Sequence, residues 1–177
     1  MIMMQTILVV LFVALMLYGA WSDARTLRIP NALSLVLLGI FFPTAVIAGL
    51  PLENIAWHVL TAVVVLAAGI ILFALGLFGG GDAKLLAASA LWVGWPLVMW
   101  MLIAVIIVGG VLSVVVILLR KGLGLWPDWL VRTARGVFEP GKAVPYGIAI
   151  TIGTLMVMPR MDVVPTVVKK LFAFVAG

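Results

Sequence analysis

The sequence contains no cysteine and a single histidine, His58, and only six of its 177 residues are acidic. Each shortage excludes a chemistry. Without cysteine there is no disulfide, no thiolate-held zinc and no thiol nucleophile. A His-Glu-x-x-His zinc site needs a pair of histidines on one helical face, and His58 is followed by Val59-Leu60. No serine stands in a Gly-x-Ser-x-Gly setting, so His58 reads as a polar residue at an interface rather than a general base. No Gly-x-x-x-x-Gly-Lys-Ser/Thr loop is present to cradle phosphates. Charge is scarce too: 10% of residues are charged and 66% hydrophobic, against ~25% and ~45–50% in soluble domains. A water-soluble fold would have no polar coat, so lipid is the natural solvent. The net charge of +5 does not mark a nucleic-acid partner. The basic residues sit in gaps between apolar runs rather than on a folded polar face.

What is present is a series of long apolar runs. Six spans are expected, over about Met3–Ala20, Ala32–Leu50, Ile55–Phe78, Ala83–Gly94, Leu97–Leu119 and Pro145–Met158. The fold class is therefore all-α, a polytopic integral membrane protein forming one domain. Met1 to Thr6 lacks a basic side chain and the first apolar run is long for a signal peptide, so a retained first helix is expected. Pro30 disfavours helix at Ile29 and Asn31 suits an N-cap. Gly79-Gly80-Gly81-Asp82 is expected to break the helix before a short fourth span. Trp92, Trp95 and Trp100 read as an aromatic belt at a membrane interface. The tail from Arg160 to Gly177, interrupted by Pro165, Lys169 and Lys170, reads as an interfacial helix.

Alternate gaps hold Arg25, Arg28, Lys84, Arg120, Lys121, Arg132, Arg135 and Lys142. The opposite side has only Arg160, Lys169 and Lys170. The positive-inside rule places the first set in the cytoplasm, and with it Asp23 and Asp82. The basic stretch from Arg120 to Val144 reads as a solvated loop against anionic lipid.

Of the acids Asp23, Glu53, Asp82, Asp128, Glu139 and Asp162, only Asp23 and Asp82 abut spans on the same side beside specialised backbone. Carboxylates near membrane depth are expensive and are functional candidates by default. Two carboxyls in one site hold a proton between them. The ionised one can activate water while the protonated one donates to a scissile carbonyl. No metal or cofactor is required. Gly79 and Gly81 can take positive φ and admit a substrate backbone closely, with Asp82 capping the fourth helix. The competing reading makes Asp23 a loop residue paired with Arg25 or Arg28, and Asp82 a plain N-cap followed by Lys84. It leaves the triple glycine unexplained. A proton-conducting or assembly subunit is the alternative from another class. It should spread acids through the membrane depth, whereas none lies mid-span here.

Phe78-Gly79-Gly80-Gly81-Asp82-Ala83-Lys84 resembles the Gly-x-Gly-Asp segment of type IV prepilin peptidases. Ser22-Asp23-Ala24-Arg25-Thr26-Leu27-Arg28-Ile29-Pro30-Asn31 resembles their first-aspartate segment, and Val144-Pro145-Tyr146-Gly147 a Pro-aromatic-Gly signature opening a late helix. The resemblance implies an aspartic endopeptidase of the inner membrane. It would cut the leader of prepilins or pseudopilins at the cytoplasmic face, ahead of a hydrophobic N-terminal helix. Asp23 and Asp82 would be its catalytic pair; Gly79 and Gly81 would shape the loop, and Pro145, Tyr146 and Gly147 line the site. The chain lacks the cysteine-bearing insertion of larger members. It is similar to the compact branch associated with Flp/Tad pili, for which methyl transfer is not expected. Archaeal preflagellin peptidases are the second choice within the class. A presenilin-like protease shares Gly-x-Gly-Asp but would carry an aspartate within an earlier span.

Overall fold

A computed structural model describes residues 1–122, 126–138, 143–166 and 168. Among the described residues eight helices follow one another: α1 (Ile2–Thr26), α2 (Asn31–Ile47), α3 (Leu52–Ala74), α4 (Gly80–Val93), α5 (Trp95–Lys121), α6 (Asp128–Thr133), α7 (Arg135–Phe138) and α8 (Tyr146–Val157). A 3-10 turn, Met158–Arg160, closes α8. No strand occurs among the described residues. α1, α3 and α5 are long and apolar enough to cross a bilayer, and α2 is a shorter apolar helix of 17 residues. The protein is an all-α integral membrane protein.

α4 is the hub. It has 14 residues, so it rises only ~21 Å at about 1.5 Å per residue. Yet Ala83 and every residue from Leu85 to Val93 are buried. It packs on α2, α3, α5 and α8. A helix apolar on all sides belongs inside a bundle. The packing relies on small residues, as expected where lipid tails leave no hydrophobic drive between helices. A Cβ on Gly69 of α3 would lie 2.9 Å from Ala83 Cβ, and one on Gly153 of α8 would lie 2.8 Å from the Val105 amide of α5. Side chains there would push the helices apart.

The apolar end of α4 corrects the belt expectation. Trp92 is fully buried, stacks on Phe12 at 4.2 Å and donates its indole N–H to the Leu37 carbonyl at 2.9 Å. The exposed indoles at this end are Trp57, Trp95 and Trp100. Trp92→Ala should cost roughly 3–5 kcal/mol through the cavity it leaves, seen as earlier loss of helical circular dichroism on SDS titration. Trp95→Ala should stay within about 1 kcal/mol, and equal losses would contradict the burial difference. His58 is also buried rather than interfacial. Its Nδ1 is 2.6 Å from the Leu91 carbonyl, and its ring lies against Phe41. Gly94 is the whole turn between α4 and α5, with φ 74°, and a Cβ there would strike His58. Trp95 and Pro96 already belong to α5.

The stretch from Arg120 is more structured than the expected solvated loop. It holds α6 and α7, and α7 packs against α1 and α5. The expected tail helix falls largely outside the described residues. In its opening Met161, Val163, Val164 and Pro165 are buried while Asp162 is exposed, and Gln5 Nε2 donates to the Val163 carbonyl at 2.9 Å.

Candidate active site

Chain direction alternates through the bundle, so the C-terminal ends of α1, α3 and α5 gather with the N-terminal ends of α2, α4 and α8. At this end a cleft of about 600 Å³ opens between the α1–α2 turn and the start of α4. Asp23, Asp82, Gly79 and Gly81 all line it, together with Ser22, Ile29 and Asn31. The chain brings together residues nearly sixty positions apart because the C-terminal end of α1 and the N-terminal end of α4 fall at the same end of the bundle.

Asp23 is not in a loop past the first helix. α1 continues through Thr26 and closes on Leu27 in the left-handed region (φ 54°), whose amide donates to the Asp23 carbonyl. Asp23 is therefore held by a helix, in its last turns beyond the apolar run. Its side chain is 4% exposed. Gly147 N–H donates to Asp23 Oδ2 at 2.7 Å. Gly147 is in the first turn of α8, where free amides and the helix dipole favour an anion. Among the described residues no ion pair joins Asp23 to Arg25 or Arg28.

Gly79, not Asp82, is the N-cap of α4, and the helix begins at Gly80 rather than after the glycine run. Asp82, at the third helical position, reaches back to the Gly79 amide, as the acid of a capping box does. Its other oxygen, Oδ1, is buried without a hydrogen-bond partner among the described residues. Asp82 precedes the apolar run of α4. Its carboxyl is pushed from 3.8 up to about 7, first by burial and then by the charge of Asp23, while the Gly79 amide pulls it down. The raised value fixes a sign. Below about pH 4 both native and unfolded carboxyls are protonated and the shift contributes nothing. As pH rises to about 7 the unfolded state ionises first, so stability falls across that window.

The glycines act through space, not through positive φ. Gly79 has φ −76°, and a Cβ there would lie 2.5 Å from Asp82 Oδ2. A Cβ on Gly81 would lie 3.2 Å from Ile29 Cβ, and one on Gly147 would lie 2.9 Å from Asp23 Oδ2. Pro145 is the N-cap of α8 and sets its first turn under Asp23. None of Pro145, Tyr146 and Gly147 lines the cleft, although Gly147 touches Asp23 from α8. The Tyr146 ring meets Phe78 edge-on at 5.9 Å and lies over Gly109 of α5. Asn31 is the first residue of α2 rather than its cap, and its side chain accepts from Lys84 Nζ at 2.9 Å.

Two supporting residues were not visible in the sequence. Arg120, at the end of α5, donates to the carbonyls of Gly136, Val137 and Ala143 at 2.9–3.1 Å. It ties α7 and the approach to α8 to the bundle. Gly136 lies directly on α1, where a Cβ would be 2.7 Å from the carbonyls of Asp23 and Ala24. A terminal arginine signals topology in any membrane sequence, and a lone glycine signals nothing. Among the described residues no three acids or histidines group to hold a metal ion.

The fold and cleft define a polytopic membrane protein with two acids, Asp23 buried and Asp82 half-buried, lining one cleft at one end of its bundle. The model of the type IV leader peptidase family matches residues 10–114, more than half the chain and including both aspartates. The chain belongs to the type IV leader peptidase family, and it is a membrane peptidase. Searches of curated proteins and of solved structures found no match.

Proposed function

We propose that the protein is an aspartic endopeptidase that removes the leader of type IV, Flp-like prepilins at the cytoplasmic membrane face, using Asp23 and Asp82 and an activated water. The observation that carries this reading is the meeting of both carboxyls in one cleft, each at the N-terminal end of a helix.

The chemistry follows from the two environments. Asp23 accepts an amide hydrogen bond from α8 and serves as the ionised base. Burial raises both carboxyls, Asp23 to about 6 and Asp82 to about 7, and Asp82, with its unpartnered oxygen, holds the proton. Asp23 takes a proton from water as the water oxygen bonds to the scissile carbonyl carbon. Asp82 gives its proton to the carbonyl oxygen. The tetrahedral diol then collapses as the C–N bond breaks. The leaving nitrogen takes the proton held by Asp23, and Asp82 recovers one from the diol. The basic residues exposed at this end, Arg25, Arg28, Lys84 and Lys121 among them, support a cytoplasmic placement. The inner membrane is the location this implies.

Purified protein in liposomes should cut a prepilin between its basic leader and its hydrophobic helix, and EDTA should leave the rate unchanged. Inhibition reversed by added zinc would argue against the cofactor-free pair. The rate should also fall as pH rises through about 7, because the pair then loses its shared proton. A rate that stays level to pH 9 would contradict the assignment of Asp82 as the acid.

A further inference from the structure

α2 and α3 both pack on α4 but hardly touch one another. Between them lies a lipid-facing groove of about 390 Å³, distinct from the cleft of the aspartates. Ala87 and Ala88 of α4 form its floor, and Leu35, Leu38, Val59 and Val63 its walls. The groove follows α4 from Lys84 to Leu91, roughly 10 Å at 1.5 Å per residue. It is apolar except at one end, where Asn31, Ser34 and Lys84 stand. That end adjoins the catalytic cleft, for Asn31 lines both.

Ser34 is the informative residue. It is 5% exposed, and its hydroxyl has no hydrogen-bond partner among the described residues. A helical serine commonly bonds back to the carbonyl four residues earlier, as Thr44 does to Ile40 here. Ser34 leaves its capacity unused inside an otherwise apolar channel, one helical turn beyond Asn31.

A peptide bond inside a helix is shielded and internally bonded, so a protease must receive it extended. Extending it at the membrane edge frees amides and carbonyls, which are costly there unless protein groups take them. We propose that this groove seats the apolar segment following the scissile bond of the substrate, and that Ser34, Asn31 and Lys84 hydrogen-bond its unwound first turn. The inference rests on the peptidase reading and adds the path by which the substrate enters. Continuity fixes the direction. A chain cut at the aspartates and passing Asn31 has an apolar channel of matching character immediately ahead of it. The three polar groups are positioning residues, since the bond-breaking groups are the two aspartates.

The absence of cysteine allows a direct test. Single cysteines are placed at Leu35 and Val63 in the groove, and at Ile106 on the exposed side of α5, in an Asp82→Asn background. The partner is a full-length prepilin with one cysteine in its apolar segment, joined by a bismaleimide. Crosslinks are expected from the Leu35 and Val63 positions and not from Ile106. In the active protein, Ser34→Ala should raise KM about tenfold with kcat nearly unchanged, the pattern of lost substrate binding. Equal crosslinking from Ile106, crosslinks only to a second copy of the chain, or an unchanged KM in Ser34→Ala would overturn the proposal. So would labelling of the Leu35 cysteine by a lipid-soluble maleimide at the same rate with and without saturating substrate, which marks lipid as the occupant. Cleavage by the otherwise native protein, run in parallel, separates the two levels. Cleavage without groove crosslinks sinks the groove alone, and no cleavage of the prepilin sinks the peptidase reading and the groove with it.

Discussion

Asp23→Asn and Asp82→Asn each abolish cleavage of a co-expressed prepilin while the protein stays in the membrane at its normal level. Loss of one partner in proton transfer costs roughly 10²–10⁴-fold, which a gel assay of processed pilin reads as no product. Each substitution keeps size and polarity, so the bundle should be preserved. Asp82→Asn should even relieve the burden of ionising a buried carboxyl beside Asp23. It should therefore resist denaturation better than the native chain above pH 7, with the difference vanishing below about pH 4. That combination, dead but sturdier, separates a catalytic acid from a structural one. Near-normal cleavage by either variant would remove that residue from the mechanism.

Gly147→Ala is the second large effect. The added methyl would stand 2.9 Å from Asp23 Oδ2 and 3.0 Å from Asp23 Cβ. The carboxylate must swing away, and its 2.7 Å bond from the Gly147 amide is lost or bent. A displacement of about 1 Å in a reacting group costs on the order of 10²-fold. The expected result is a drop in kcat of that size, with KM little changed. Gly110→Ala is the matched control, since a Cβ there meets nothing within 4 Å. If both alanine variants cleave at the native rate, the contact between α8 and Asp23 has no part in the chemistry.

The class, and the position of Asp23 and Asp82 at one end of the bundle, were legible in the sequence more readily than the setting of the two acids. Apolar runs and the alternation of basic gaps placed Asp23 and Asp82 at one end, because those signals depend only on order along the chain. What they lacked was lateral information. Asp23 was read as following the first span, yet Ser22-Asp23-Ala24-Arg25 prolongs α1 until Leu27 turns left-handed. A polar segment and a helix extending past the lipid have the same composition. Trp92 was read with Trp95 and Trp100 because belt and core indoles look alike until the Leu37 carbonyl appears as a partner. Gly79 and Gly81 read as residues free to take positive φ and admit a substrate backbone. Their backbones are ordinary, and the constraint comes from Asp82 and Ile29. Pro145, Tyr146 and Gly147 all fall outside the cleft lining: Gly147 supports Asp23 through its amide, and Tyr146 packs on Phe78 and α5. Arg120 and Gly136 support the site through backbone contacts with segments distant in sequence, which no local pattern encodes.

The most direct measurement is an experimental structure with a peptide isostere bound, its hydroxyl replacing the attacked carbonyl. Both carboxyls, one from α1 and one from α4, should lie within about 2.6–3.2 Å of that hydroxyl. An inhibitor engaged by only one of them, or helices packed between the two, would contradict a shared hydrolytic centre.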